Sequence, residues 1–117
     1  MRAERFAGIY LHRDRVDFRK SIDGLAAIVE QEMGMDVFGS HLFLFCNRQR
    51  TKMKVLYWDR TGFAMWYKRL ERERFVWPRK HDSEVIRIDR QQLEWLLDGY
   101  DVWRMKPHEK VNYLQIS

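Results

Sequence analysis

The sequence predicts a small α+β domain, an antiparallel sheet with two helices packed on it. Three observations carry that reading. The chain has 117 residues, enough for about one core. Two segments, 22–33 and 90–98, repeat apolar residues at helical spacing, and three apolar runs of strand length, 41–46, 53–58 and 63–67, are separated by polar turns. The domain is expected to span 1–103, with 104–117, which contains Pro107 and shows no period, as a poorly packed tail. A small half-open barrel is the competing architecture.

In chain order, residues 8–13 (GIYLHR) have the β-branched and aromatic content of a short strand. Ser21 is placed to cap a helix in which Ile22, Leu25, Ile28, Val29 and Met33 share one face, and Gly34 is suited to its left-handed end. Residues 41–46 (HLFLFC) are apolar without alternation, which marks a central strand covered on both faces. The polar stretch 47–52 (NRQRTK) then makes a hairpin with a cationic tip, leading to strand 53–58 (MKVLYW). The turn at 59–62 (DRTG) offers Gly62 for a positive φ. Segment 63–70 fits a strand, although Phe63, Trp66, Tyr67 and Leu70 also satisfy a helical template. Trp77-Pro78 closes this region, because proline has no amide to give a ladder. Residues 84–88 (EVIRI) alternate as a short strand, and Asp89 with Gln92 forms the signature of a capping box before the second helix.

Charge is the most informative feature for function. Residues 41–80 hold eleven Lys/Arg against three acids, a local charge of +8, whereas the remainder carries −3, within a net +5. Most of the aromatics fall in the same basic block. Clustered cations release counterions from phosphate, and aromatic rings offer stacking faces, so nucleic acid, DNA in the first instance, is the expected partner. The candidate binding residues are Arg48, Arg50 and Lys52 at the hairpin tip, Lys54 in the following strand, and Lys68, Arg69, Arg72, Arg74, Arg79 and Lys80 in a longer cationic stretch. Glu71 and Glu73 can pair with some of these, and Trp58, Trp66 and Trp77 are expected in the core more than at a binding surface.

Several chemistries lack their residues. No glycine-rich phosphate loop occurs, and the expected strands carry almost no carboxylates from which a two-metal nuclease could be assembled. Asp59 and Asp89 read as turn and cap residues. His12, His41, His81 and His108 are too scattered for a zinc site or a nicking-enzyme histidine pair, and a single cysteine, Cys46, sits in an apolar strand where a thiol is inert. No catalytic residue, metal or cofactor is expected. The sequence shows neither a signal segment nor an apolar run near 18 residues, which points to a cytoplasmic protein away from the membrane.

Several ordered motifs resemble one family. They are 17–25 (DFRKSIDGL), 39–48 (GSHLFLFCNR), 54–63 (KVLYWDRTGF), 67–71 (YKRLE), 75–78 (FVWP) and 96–99 (LLDG), together covering about residues 9–102. The pattern is similar to the small accessory protein family called TnpB in bacterial insertion sequences of the family numbered sixty-six, which is distinct from the RNA-guided nuclease of that name. The chain departs from the pattern at Arg60 and Glu73, where the family usually has Gly. The resemblance implies a role in moving the element beside a separate, larger transposase that carries the catalytic acids. Two functions fit: an accessory factor that binds nucleic acid through the basic block, or an adaptor that recruits or stabilises the transposase.

Overall fold

A computed structural model describes residues 1–78 and 83–104. Five strands, β1 (Gly8–His12), β2 (His41–Cys46), β3 (Lys52–Asp59), β4 (Gly62–Arg69) and β5 (Val85–Ile88), form one sheet in the order β4-β3-β2-β1-β5. Helix α1 (Ile22–Gln31) covers one face and α2 (Arg90–Leu97) the other. A 3₁₀ turn at Ala3–Arg5 precedes β1. The α+β class read from the sequence holds, and the ambiguous segment after Gly62 is a strand whose eight residues pair with β3.

The non-alternating run of β2 is explained by its place in the sheet. Leu42, Leu44 and Cys46 enter the core under α2, while Phe43 and Phe45 enter the core under α1, and all five are fully buried. Because successive strand side chains alternate between faces, only a strand covered on both sides can be apolar throughout. Burying either phenylalanine contributes about 1.5–3 kcal/mol.

One pairing departs from the antiparallel expectation: β1 and β2 run parallel, with Ile9 opposite Leu42 and Leu11 opposite Leu44. The reason is the connection. Parallel neighbours need a crossover of a dozen or more residues, and α1 with its flanking loops supplies one between two strands that each lie inside the sheet. The other three pairings are antiparallel.

Both helices end as their sequences dictate, with small adjustments. Asp89 accepts the Gln92 amide at 2.7 Å, and the Gln92 side chain accepts the Asp89 amide at 2.9 Å, completing the capping box. Ser21 occupies the cap position of α1 with an extended backbone and no side-chain bond. That helix ends two residues before Met33, whose amide turns back to the Ile28 carbonyl ahead of Gly34 at φ +63°. After β4 the chain does not leave the molecule. Phe75 and Trp77 insert into the α2-side core, and the Trp77 indole donates to the His12 carbonyl at 3.1 Å. Trp103 packs on the same core and its indole donates to the Val76 carbonyl. The expected tail lies, from residue 105, outside the described residues.

Candidate nucleic-acid interface

The hairpin between β2 and β3 is built by Asn47. Its buried side-chain carbonyl accepts the amides of Thr51 (2.9 Å) and Lys52 (3.0 Å), and its amide group donates to the Thr51 hydroxyl. This satisfies a turn in which the Arg50 amide also reaches the Asn47 carbonyl and Arg50 itself stands at φ +62°. Arg48 and Arg50 therefore project from a fixed turn. Lys52, at its foot, lies directly opposite Arg69 in the β3–β4 register, so the two share the α1 side of the sheet.

The loop after β4 is fastened to this tip by two backbone bonds, from the Leu70 amide to the Thr51 carbonyl (2.9 Å) and from the Phe75 amide to the Arg50 carbonyl (2.7 Å). Arg72 and Arg74, both exposed, ride on that loop beside Arg50. The same loop meets the end of α2 at Gly99, whose φ of +89° favours glycine and whose Cα lies close to the Glu73 carboxylate. Arg69 is held by the Glu71 carboxylate through Nε (3.0 Å) and Nη2 (2.8 Å), an exposed pair that costs little to exchange.

A second group reaches the tip from the stretch before α1. The Arg15 guanidinium donates to the Arg48 carbonyl at 3.5 Å, and residues 16–19 face Arg48, Gln49 and Lys52 across a cleft of about 500 Å³. Within it Arg19 grips Asp17 with two guanidinium nitrogens, at 2.9 and 2.6 Å. That bond, helped by the Arg19 amide and the charges of Arg19 and Arg48, holds the Asp17 carboxyl down at about 2 instead of 3.8. A carboxylate stabilised in this way contributes fully above the unfolded value and loses its contribution as pH falls through about 2. Titration of the Asp17 carboxyl followed by NMR is therefore expected to have its midpoint near 2, returning toward the ordinary carboxylate range in Arg19→Ala. A native midpoint near 4 would mean the pair is open in solution.

Two of the sequence candidates are occupied elsewhere. Lys54 is buried, its ammonium donates to the carbonyls of Phe18 (2.9 Å) and Lys20 (3.2 Å), and it lies over the Phe18 ring. Burial lowers its pKa, with Lys52 adding repulsion. Lys68 points to the opposite face, donates to the Leu97 carbonyl at 2.8 Å, and so places a cation at the C-terminal end of α2. The structure thus brings Arg48, Arg50, Lys52, Arg69, Arg72 and Arg74 to one end of the sheet and directs Lys54 and Lys68 inward. Arg79 and Lys80 lie outside the described residues.

Cys46 is fully buried and its thiol is pushed up to about 12, chiefly by burial and against the charges of Arg15 and Arg50, so it is no nucleophile. His41 packs edge-on against Tyr10 and Phe43 at the start of β2. Among the described residues no three His, Cys, Asp or Glu side chains gather in an arrangement that could hold a metal ion, and no helix is long and apolar enough to cross a membrane.

Comparison with known proteins decides the family. The model of the IS66 Orf2-like proteins matches residues 7–107, spanning β1 to beyond α2. The chain belongs to the IS66 Orf2-like family. Its relatives include two proteins of Sinorhizobium fredii (strain NBRC 101917 / NGR234): the uncharacterized protein y4hO, 33% identical over 96 residues covering 82% of each chain, and the uncharacterized protein y4jC, 29% identical over 91 residues covering 78% of this chain and 77% of that one. No solved structure matches. IS66 Orf2-like membership makes this an accessory protein of insertion-sequence transposition. The arginine at position 60 also acquires a structural meaning. The positive φ of the β3–β4 turn falls on Arg60 (+53°) and not on Gly62, so this IS66 Orf2-like chain holds an arginine where glycine fits without strain.

Sequence reasoning missed Asn47, Arg15 and Arg19. An Asn opening a polar hexapeptide is a turn signal that could have singled out the first. The arginines lie about thirty residues from the tip, and only the parallel placement of β1 beside β2, with Val16 bridging Asn47, brings them there.

Proposed function

We propose that this protein is a non-catalytic accessory factor of transposition that binds DNA through the positive end of its sheet, acting in the cytoplasm alongside the element's transposase. The observation that carries the reading is the fastening of the Arg72 and Arg74 loop to the Arg48 and Arg50 tip, which makes two cationic segments 24 residues apart in sequence into one surface. Arg48, Arg50, Lys52, Arg72 and Arg74 form it, with Arg69 released from Glu71 on contact, and Arg79 and Lys80 belong to the same cationic stretch of sequence. Guanidinium groups on two rigidly joined turns suit phosphate oxygens along a backbone and carry no base-reading geometry, so binding is expected to be largely indifferent to sequence. Catalysis is left to the transposase.

The test is a titration of the purified protein against element-end and random duplexes at two salt concentrations. Similar affinities that fall steeply with salt are expected. Affinity insensitive to salt would reject phosphate binding. Incubation with supercoiled DNA and Mg²⁺ or Mn²⁺ is expected to give no nicking, and cleavage lost on Asp59→Asn would overturn the non-catalytic reading.

A second reading, an adaptor for the transposase, is favoured by one feature of opposite charge. A groove of about 390 Å³ beside α1 is lined by Asp23, Glu30, Phe38 and Phe63, with Phe38 56% exposed. Retention of the transposase from nuclease-treated extract, lost on Phe38→Ser, would support it.

A further inference from the structure

The end of the sheet opposite the tip carries its own basic and aromatic cleft. The start of β1, the start of β2 and the end of β3 meet there, joined by the Ala7 amide on the Ser40 carbonyl at 2.7 Å. The cleft holds about 490 Å³, within the range of small-molecule sites. Its walls are ring pairs: Phe6 meets Tyr57 edge-to-face at 5.3 Å on the α2 side, and Phe38 meets Trp58 at 5.1 Å on the α1 side. The arginines Arg2, Arg5 and Arg60 border it beside a single carboxylate, Asp59. All three are exposed, and among the described residues none of them has a carboxylate within ion-pair distance.

Arg60 is the telling residue. Its φ of +53° places it in the left-handed region at the first position of a two-residue hairpin turn, where glycine is free of strain and a side chain is not. Among the described residues the Arg60 side chain forms no hydrogen bond or ion pair that would offset this. Strain kept at a residue whose head group borders a cleft points to use of that head group.

We propose that this cleft is a second nucleic-acid site, specific for unpaired nucleotides, with a base lodged among the rings and its flanking phosphates held by Arg5 and Arg60. A duplex keeps its bases stacked inside, so a ring-walled cleft selects single strands, while the arginines supply the phosphate charge. Strand β3 separates this cleft from the tip by seven residue steps, or about 23 Å. The two sites are therefore independent, and one chain can hold a duplex segment at the tip and an unpaired segment at the far end. This inference goes beyond the tip reading and does not need it.

The test uses the full chain with Arg48, Arg50, Arg72 and Arg74 changed to Ala, so that tip binding is suppressed, and fluorescent oligothymidylate as probe. Adding Arg60→Gly is expected to lower single-strand affinity about tenfold while raising the melting temperature, because strain is removed together with the contact. Arg5→Gln, which leaves the turn untouched, is expected to lower it similarly, and the pair together to flatten the salt slope by about 1.4, at about 0.7 for each lost contact on a single strand. In the parent chain the same two changes leave duplex affinity unaltered. Unchanged single-strand affinity in the folded Arg5→Gln and Arg60→Gly variants overturns the proposal. So does retained single-strand affinity with lost binding of a glutamate-rich peptide, which would assign the cleft to a protein partner. Failure of the tip reading registers separately, as duplex affinity that ignores the four tip changes.

Discussion

Replacing Phe75 by Ala is expected to destabilise the fold by about 3–5 kcal/mol, read as a lower urea midpoint with unchanged slope. Phe75 is fully buried in the α2-side core with Trp77, Leu44, Met53 and Leu93, so truncation leaves a void that the strands on its floor cannot fill. Against a total of about 5–15 kcal/mol for a domain of this kind, the loss is a large fraction. It also has a functional side. The Phe75 amide holds the Arg50 carbonyl, and the ring is what keeps that amide in place, so the variant loosens the loop carrying Arg72 and Arg74. Duplex affinity is expected to fall even at temperatures where the variant is folded. A cost under about 1 kcal/mol would mean that the segment 70–77 lies on the core without being part of it.

That segment also shows where the sequence was legible. Strand β2 could be read because five consecutive buried side chains leave no polar position, and α2 because its capping box is a local device written in two residues. The 70–77 segment could not, since its arginines and glutamates dominate any window while the two residues that matter, Phe75 and Trp77, alternate for only one step. The parallel pairing of β1 and β2 was within reach: a helix between two apolar strands is the signature of a crossover, and the cationic hairpin that follows drew the reading toward antiparallel neighbours. Charge counting has a different limit. It registers Lys54 and Arg50 alike, yet one ammonium is spent on the carbonyls of Phe18 and Lys20 while the other cation stands on a turn, and the difference lies in contacts 34 and 36 residues away. Glycine reasoning failed at the β3–β4 turn for a related reason. Gly62 is the permissive residue, but the two-residue loop set by the strand register puts the positive φ one position after Asp59, on Arg60.

Changing Arg48, Arg50, Arg72 and Arg74 together to Ala is expected to abolish most of the duplex affinity at moderate salt and to flatten the log–log salt dependence by about 3.6, at about 0.9 for each phosphate contact removed. The loss should be the same for element-end and random sequences, because these side chains sit on turns and offer phosphate, not base edges, a cation. The fold should survive: Arg48, Arg72 and Arg74 are exposed and Arg50 is half-buried, and the two backbone bonds that fasten the loop to the tip involve carbonyls and amides that alanine retains. The informative contrast is with Lys54→Ala and Lys68→Ala. Removing the Lys54 ammonium leaves two carbonyls without their donor and is expected to cost about 1–3 kcal/mol, and removing Lys68 takes a cation from the end of α2 at about 0.3–1 kcal/mol, yet neither should alter the salt slope. Stability and affinity thus separate within one basic block according to where each cation points. Equal slopes for the parent and the four-arginine variant would mean that the positive end is only a solvated surface, and the groove beside α1 would then be the better place to look for the partner.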